Sequence, residues 1–115
     1  MAKPVKVFGD YVVCFNAGEE DMSARKHFTK DCGWTSAEFA KIARFAWFCA
    51  EVSLWKDGEE LACEYLGACS YKTSEEFYTR YAGDYFADMV LTCADTVGDE
   101  ALIVAIKTWR EELGR

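Results

Sequence analysis

Proline and histidine are nearly missing from this chain, with one of each in 115 residues. Long apolar runs, paired cysteine motifs and clustered cations are scarce as well. Each shortage excludes something. With a single proline, no low-complexity tract and no internal repeat, there is no linker composition, and residues 1–115 are expected to form one domain. No segment reaches the ~18 to 20 apolar residues that a membrane-spanning helix needs. The N-terminal stretch MAKPVKVFGDYVV has no apolar core and no small-residue cleavage pattern, so no signal peptide and a cytoplasmic location are expected. Lys and Arg number 13 against 20 Asp and Glu, a net charge of −7. That balance argues against direct binding to nucleic acid or to an anionic membrane, both of which need clustered positive charge. It permits a basic protein partner.

Aromatic and apolar residues are abundant, at 16% and 51%, enough to build a core without disulfides or a metal. The six cysteines (14, 32, 49, 63, 69 and 93) contain no C-x-x-C pair, and in a reducing cytosol most are expected in the core as small hydrophobes. PVKVFGDYVVCF reads as two strands about Gly9-Asp10, a pair suited to a type II′ turn, with Val5, Val7, Val12 and Cys14 sharing a face. AGEED ends the alternation and supplies acids for a helix start. A short helix is predicted over residues ~20–31, closed by Gly33 in the left-handed C′ position with Trp34 in apolar contact. TSAE at 35–38 is a capping box that opens a helix over ~36–44.

From Arg44 to Tyr71 the sequence alternates on both sides of Asp57-Gly58, a strong hairpin signal. TSEE at 73–76 is a second capping box. Gly83 interrupts the helix it opens, and Asp84 is placed to cap the next one, which carries Phe86, Met89, Val90 and Cys93. Asp99 caps a last helix with Leu102, Ile106, Trp109 and Leu113 in register. The order ββααββααα predicts an α+β fold, with antiparallel β-hairpins forming a small sheet covered on one face by four or five helices.

A two-residue Asp57-Gly58 turn predicts cross-strand partners whose numbers sum to 115. Leu54 then faces Leu61, Val52 faces Cys63 and Ala50 faces Tyr65 on the covered side, which makes Cys63 a core residue. On the other side Trp55 faces Glu60, Ser53 faces Ala62, Cys49 faces Leu66 and Glu51 faces Glu64. Two opposed carboxylates destabilise a sheet by ~0.2–1 kcal/mol, so a compensating cation such as Lys6, Lys41 or Arg44, full solvation, or a partner is expected.

The candidates for chemistry are few. The strand from Cys63 to Cys69 spans roughly 20 Å, too far for a disulfide or a shared zinc ion unless the chain folds back at Gly67. A Cys-His site would have to use His27, inside the basic segment SARKHFTK, and Cys32 lies five residues on, off the same α-helical turn. There is no G-x-S-x-G, no phosphate-cradling glycine loop and no H-E-x-x-H. No cofactor and no metal are implied. Arg25, Lys26, His27 and Lys30 form the main basic patch of an acidic chain, a dipolar arrangement that permits a homodimer.

YLGACSYKTSEEF followed by DYFADMV resembles small accessory proteins of phages and mobile elements, including inhibitors of host defence of the anti-CRISPR and anti-restriction kind. The resemblance covers residues ~45–92 and carries no catalytic residues across. It implies a stoichiometric binder that occludes a defence nuclease or its nucleic-acid site. The expected contact surface is acidic and aromatic: Glu51, Trp55, Glu60 and Glu64 on the open face, Asp57 and Glu59 at the hairpin tip, and Glu19, Glu20 and Asp21 before the first helix. Glu75 and Glu76 complete the acidic set. The alternative is a small enzyme or redox or metal protein using Cys63 and Cys69 or the Glu51/Glu64 pair.

Overall fold

The computed structural model describes residues 2–114. A four-stranded antiparallel sheet in the order β1-β2-β3-β4 is built from β1 (Lys3–Phe8), β2 (Tyr11–Gly18), β3 (Ala46–Lys56) and β4 (Glu59–Tyr71). The turns between paired strands follow the local chemistry. Gly9 alone is left-handed (φ 59°) in the first, as a type II′ turn requires, while Asp57 (φ 52°) and Gly58 (φ 77°) are both left-handed in the second.

Four α-helices occur among the described residues: α1 (Ala24–Lys26), α2 (Ser36–Ala40), α3 (Ala87–Val97) and α4 (Glu100–Leu113). Thr35 and Glu38 form the expected reciprocal cap of α2, which stops at Ala40 and gives way to turns rather than running to residue 44. Thr73 N donates to Glu76 Oε1 at 3.3 Å at the start of a single 3₁₀ turn (Ser74–Phe77). The Asp99 carboxylate caps α4, accepting from Ala101 N at 3.0 Å and Leu102 N at 3.2 Å. Asp84 caps nothing. It lies inside a π-helical turn (Ala82–Phe86) that runs directly into α3, with Phe86 at the N-cap position.

The first helical segment departs most from expectation. Ser23 caps it, its hydroxyl accepting from Lys26 N at 3.2 Å, so the acids of AGEED precede the helix rather than open it. The Thr29 hydroxyl then donates to the Arg25 carbonyl at 2.6 Å, competing for an acceptor of the regular helix. The backbone widens into a π-helical turn (His27–Asp31), with Cys32 N donating to the His27 carbonyl at 3.1 Å. This i→i+5 bond brings Cys32 beside His27, with Sγ 3.6 Å from Nε2. Gly33 (φ 74°) reverses the chain and Trp34 stacks on Phe28 at 4.5 Å between ring centroids.

The core lies between one face of the sheet and α3, α4 and the turns that lead into them, while His27 and Phe28 of the first helical segment pack on Trp47. Val13, Phe15, Val52 and Leu54 meet Phe77, Phe86, Val90, Cys93 and Ile106 in a cluster, and the fully buried Phe77 and Phe86 each contribute about 2–3 kcal/mol of transfer free energy. Three register shifts decide which residues point there. In β1 the register shifts between Pro4 and Lys6, so Pro4 pairs with Cys14, and Val5 packs against the core instead of joining Val7, Val12 and Cys14.

In β4 the register shifts once between Leu54 and Trp55 and again between Phe48 and Ala50. Trp55 pairs with Glu60 as expected, but Leu61 is an extra residue, and Leu54 pairs with Ala62, Ser53 with Cys63, Val52 with Glu64 and Glu51 with Tyr65. A one-residue slip sends every later side chain to the opposite face. Cys63 is therefore half-buried outside the core cluster, and Glu64 is half-buried on the helix-covered side. The opposed pair Glu51/Glu64 does not form.

Candidate functional site

The uncovered face of the sheet is built in rows across the strands. The first is Val7, Val12, Trp55 and Glu60; the second is Pro4, Cys14, Ser53 and Cys63; the third is Asn16, Glu51 and Tyr65. Trp55 folds back along its own strand, its indole N–H donating to Ser53 Oγ at 2.8 Å, and Ser53 is left 4% exposed. Val7 and Tyr65 stand out to solvent at 60% and 64% exposure. Asn16 Nδ2 donates to Glu51 Oε2 at 2.6 Å and fixes that carboxylate. The same carboxylate lies against Gly18, where any side chain would collide with it, so the glycine serves close approach.

Charge is sorted between the two faces. The strand lysines are Lys3, Lys6 and Lys56, and their partners Phe15, Val13 and Tyr11 all belong to the core side. Lys6 stands over the Phe8 and Trp109 rings at 5.5 Å, and Lys56 over Tyr11 at 5.1 Å. The charges left on the open face are Glu51 and Glu60, both negative.

The thiols of this face are not poised for reaction. Desolvation pushes Cys14 and Cys63 up from the ordinary thiol value, and the carboxylate of Glu60 pushes both the same way. Cys63 shares a hydrogen bond with the Tyr65 hydroxyl, which that bond, the nearby thiol and the surrounding carboxylates push up to about 12. Both groups stay protonated at neutral pH, and the face offers hydrogen bonds and contact area rather than a nucleophile.

Of the residues singled out from the sequence, Glu51, Trp55 and Glu60 come together here. Asp57 and Glu59 are exposed at the hairpin tip. Glu64 is on the other face, where its charge reaches Cys93 of α3. Glu19, Glu20 and Asp21 lie in the connection after β2, and Glu20 is engaged: its Oε2 accepts from Ala68 N at 2.6 Å, pinning the second bulge of β4. Glu76 caps the 3₁₀ turn and stands 3.9 Å from Arg80, while Glu75 lies close enough to Lys3 to help hold that ammonium's proton. Cys63 and Cys69 do not meet, since Cys69 is buried in the core with its Sγ donating to the Leu66 carbonyl at 3.3 Å. Among the described residues no group of three or more His, Cys, Asp or Glu is arranged to hold a metal ion.

No family model, no curated protein and no solved structure matches the chain. None of the helices described is long and apolar enough to cross a membrane.

The sequence pattern misses Val7, Asn16 and Tyr65 as members of this surface. The Asn16–Glu51 contact depends on which strand neighbours β2, a tertiary choice. Tyr65 is misassigned because of one bulge. Gly67, three places beyond Glu64, is the visible hint that β4 is not regular.

Proposed function

We propose that this chain is a non-enzymatic binding protein that docks the open face of its sheet onto a basic protein surface. In the setting that its resemblance implies, the partner is a nucleic-acid-binding protein of host defence. Binding occludes the nuclease or its nucleic-acid site in the host-cell cytoplasm. Helices α3 and α4, which follow the second hairpin, cover the opposite face, and the rows from Val7 to Tyr65 are the part of this face offered to the partner.

The observation that carries the reading is the sorting of charge. All three strand lysines are turned to the helix side, and the open side keeps Glu51 and Glu60 beside Trp55, Tyr65 and Val7. Aromatic anchors within an acidic setting suit a partner rich in Arg and Lys, and the charge steers the encounter. Asp57 and Glu59 continue the same sign to the hairpin tip. Protonated thiols on this face, Cys14 buried and Cys63 half-buried, favour contact over chemistry.

The test uses three baits in a nuclease-treated host lysate: wild type, Glu51→Lys/Glu60→Lys, and a control reversal on α4, Glu111→Lys/Glu112→Lys. Wild type and the α4 control are expected to retain the same basic protein, and the open-face variant to lose it. Equal capture by all three baits overturns the reading, as does capture that vanishes once nucleic acid is removed.

A further inference from the structure

The π-helical turn, packed on Trp47 by His27 and Phe28, assembles a group of side chains that the docking reading does not use. Cys32 Sγ lies 3.6 Å from His27 Nε2, and His27 Nδ1 lies 3.8 Å from Asp31 Oδ2. Thiol, imidazole and carboxylate thus come together within six consecutive positions, the arrangement in which a base takes a nucleophile's proton and a third group stabilises the charged base. An α-helix would separate residues 27 and 32; the i→i+5 bond of the π-turn places one over the other. The imidazole is held from the other side too. It stacks on Trp47 at 5.4 Å and meets Phe28 edge-on at 5.0 Å, and Trp47 is tied down by its indole N–H donating to the Met22 carbonyl at 2.6 Å.

Cys32 is also set apart from the other thiols. Cys14, Cys69 and Cys93 are buried, Cys49 and Cys63 are half-buried, and desolvation pushes all five up. Cys32 is exposed. Arg25, Lys26 and Lys30 are exposed on the same helical segment, with Arg25 over the Phe39 ring at 5.0 Å, in a chain that carries −7 overall.

We propose that Cys32 is a thiol-exchange site for small anionic disulfides, with His27 as its base. The cationic neighbours attract a disulfide bearing carboxylates, and no oxyanion pocket is needed, because exchange requires a thiolate and an open line of approach. As Cys32 sulfur attacks one sulfur of the disulfide, its proton passes to His27 Nε2, and the imidazolium forms an ion pair with Asp31. The old S–S bond breaks, a new one joins Cys32 to half of the reagent, and the departing thiolate takes the proton back. The incoming disulfide is the only oxidant, and one thiol leaves for each protein disulfide made.

The probe is oxidised glutathione, an anionic disulfide, added to the full chain; modification is followed by intact mass and peptide mapping. Cys32 is expected to be modified first, about tenfold faster than in His27→Phe, which keeps the ring stack on Trp47 but has no base. Asp31→Asn slows the reaction about threefold, the size of a half-exposed ion pair, and Asp31→Glu restores it. Cystamine, a cationic disulfide of similar reactivity, reacts more slowly than oxidised glutathione with the native protein. Equal rates for wild type and a folded His27→Phe, or modification of Cys49 or Cys63 at the rate of Cys32, overturn the proposal. So does a preference for cystamine, which leaves Cys32 as an exposed thiol only. Because the thiol exchange uses neither Glu51 nor Glu60, loss of partner capture by their reversal leaves this result untouched.

Discussion

Single residues hold the irregular parts of this molecule in place. Ala68 is the clearest, a non-glycine residue in the left-handed region (φ 56°) at the second bulge of β4, where its N–H is taken by Glu20. An L-residue pays about 1–2 kcal/mol for that conformation, part of which the charged acceptor offsets. Ala68→Gly removes the steric cost and adds some unfolded-state entropy, so the variant is expected to be more stable by about 0.5 kcal/mol. A rise of about 2 °C in Tm would register it, and an unchanged or lower Tm would show that the bulge is not strained. His27 makes the opposite point. Nothing in its local sequence distinguishes it from a surface histidine, and its significance comes from the Thr29 hydroxyl that helps open the helix by one residue per turn.

Bulges do at the level of elements what strain does at single positions. Leu61 is one extra residue, 36% exposed, and it determines which face every β4 side chain from Ala62 to Leu66 occupies. Deleting Leu61 joins Glu60 directly to Ala62, so a regular ladder keeps the pairs Leu54–Ala62, Ser53–Cys63 and Glu51–Tyr65. Urea unfolding of the variant is expected to stay within about 1 kcal/mol of wild type, as for removal of an unpaired bulge residue. A loss of more than about 2 kcal/mol would mean that Leu61 supports the hairpin by more than its place in the register. The helices are governed more locally. Capping at Thr35, Thr73 and Asp99 can be read from short motifs because each cap satisfies backbone groups within three residues of itself. Asp99 adds a longer reach, accepting from the Tyr11 hydroxyl at 2.9 Å; that bond and its two backbone donors hold its carboxyl below the ordinary value.

At the scale of the whole molecule, buried acids that stay neutral set the alkaline limit. Burial pushes the Cys93 thiol from 9.0 up to about 12, and the same cause raises Cys14, Cys49, Cys63, Cys69 and Tyr71. A group raised on folding supports the native state fully below its unfolded value and less as pH climbs toward its folded one. The urea midpoint is therefore expected to fall between about pH 9 and about pH 12, and to fall less steeply in Cys93→Ala. Parallel curves for the two proteins would show that Cys93 does not contribute.

Much of this architecture is legible in the chain itself: four strands, both hairpin turns, the capped helices and the apolar stripes of α3 and α4. Those features depend on neighbours a few residues apart, where backbone hydrogen bonding and helix or strand period leave a direct mark. The open face was half legible. Glu51, Trp55 and Glu60 were identified on it, while Glu64 was placed there and Tyr65 was not, since alternation counts residues and cannot see an inserted one. Sorting the lysines away from Glu51 and Glu60 required knowing that β2 lies between β1 and β3. Bringing Cys32 to His27 required a helix of the wrong period. Local preference determined which elements form; packing across the sheet and one widened turn decided which side chains meet, because register and pitch are settled by contacts between residues far apart or by backbone geometry that composition does not encode.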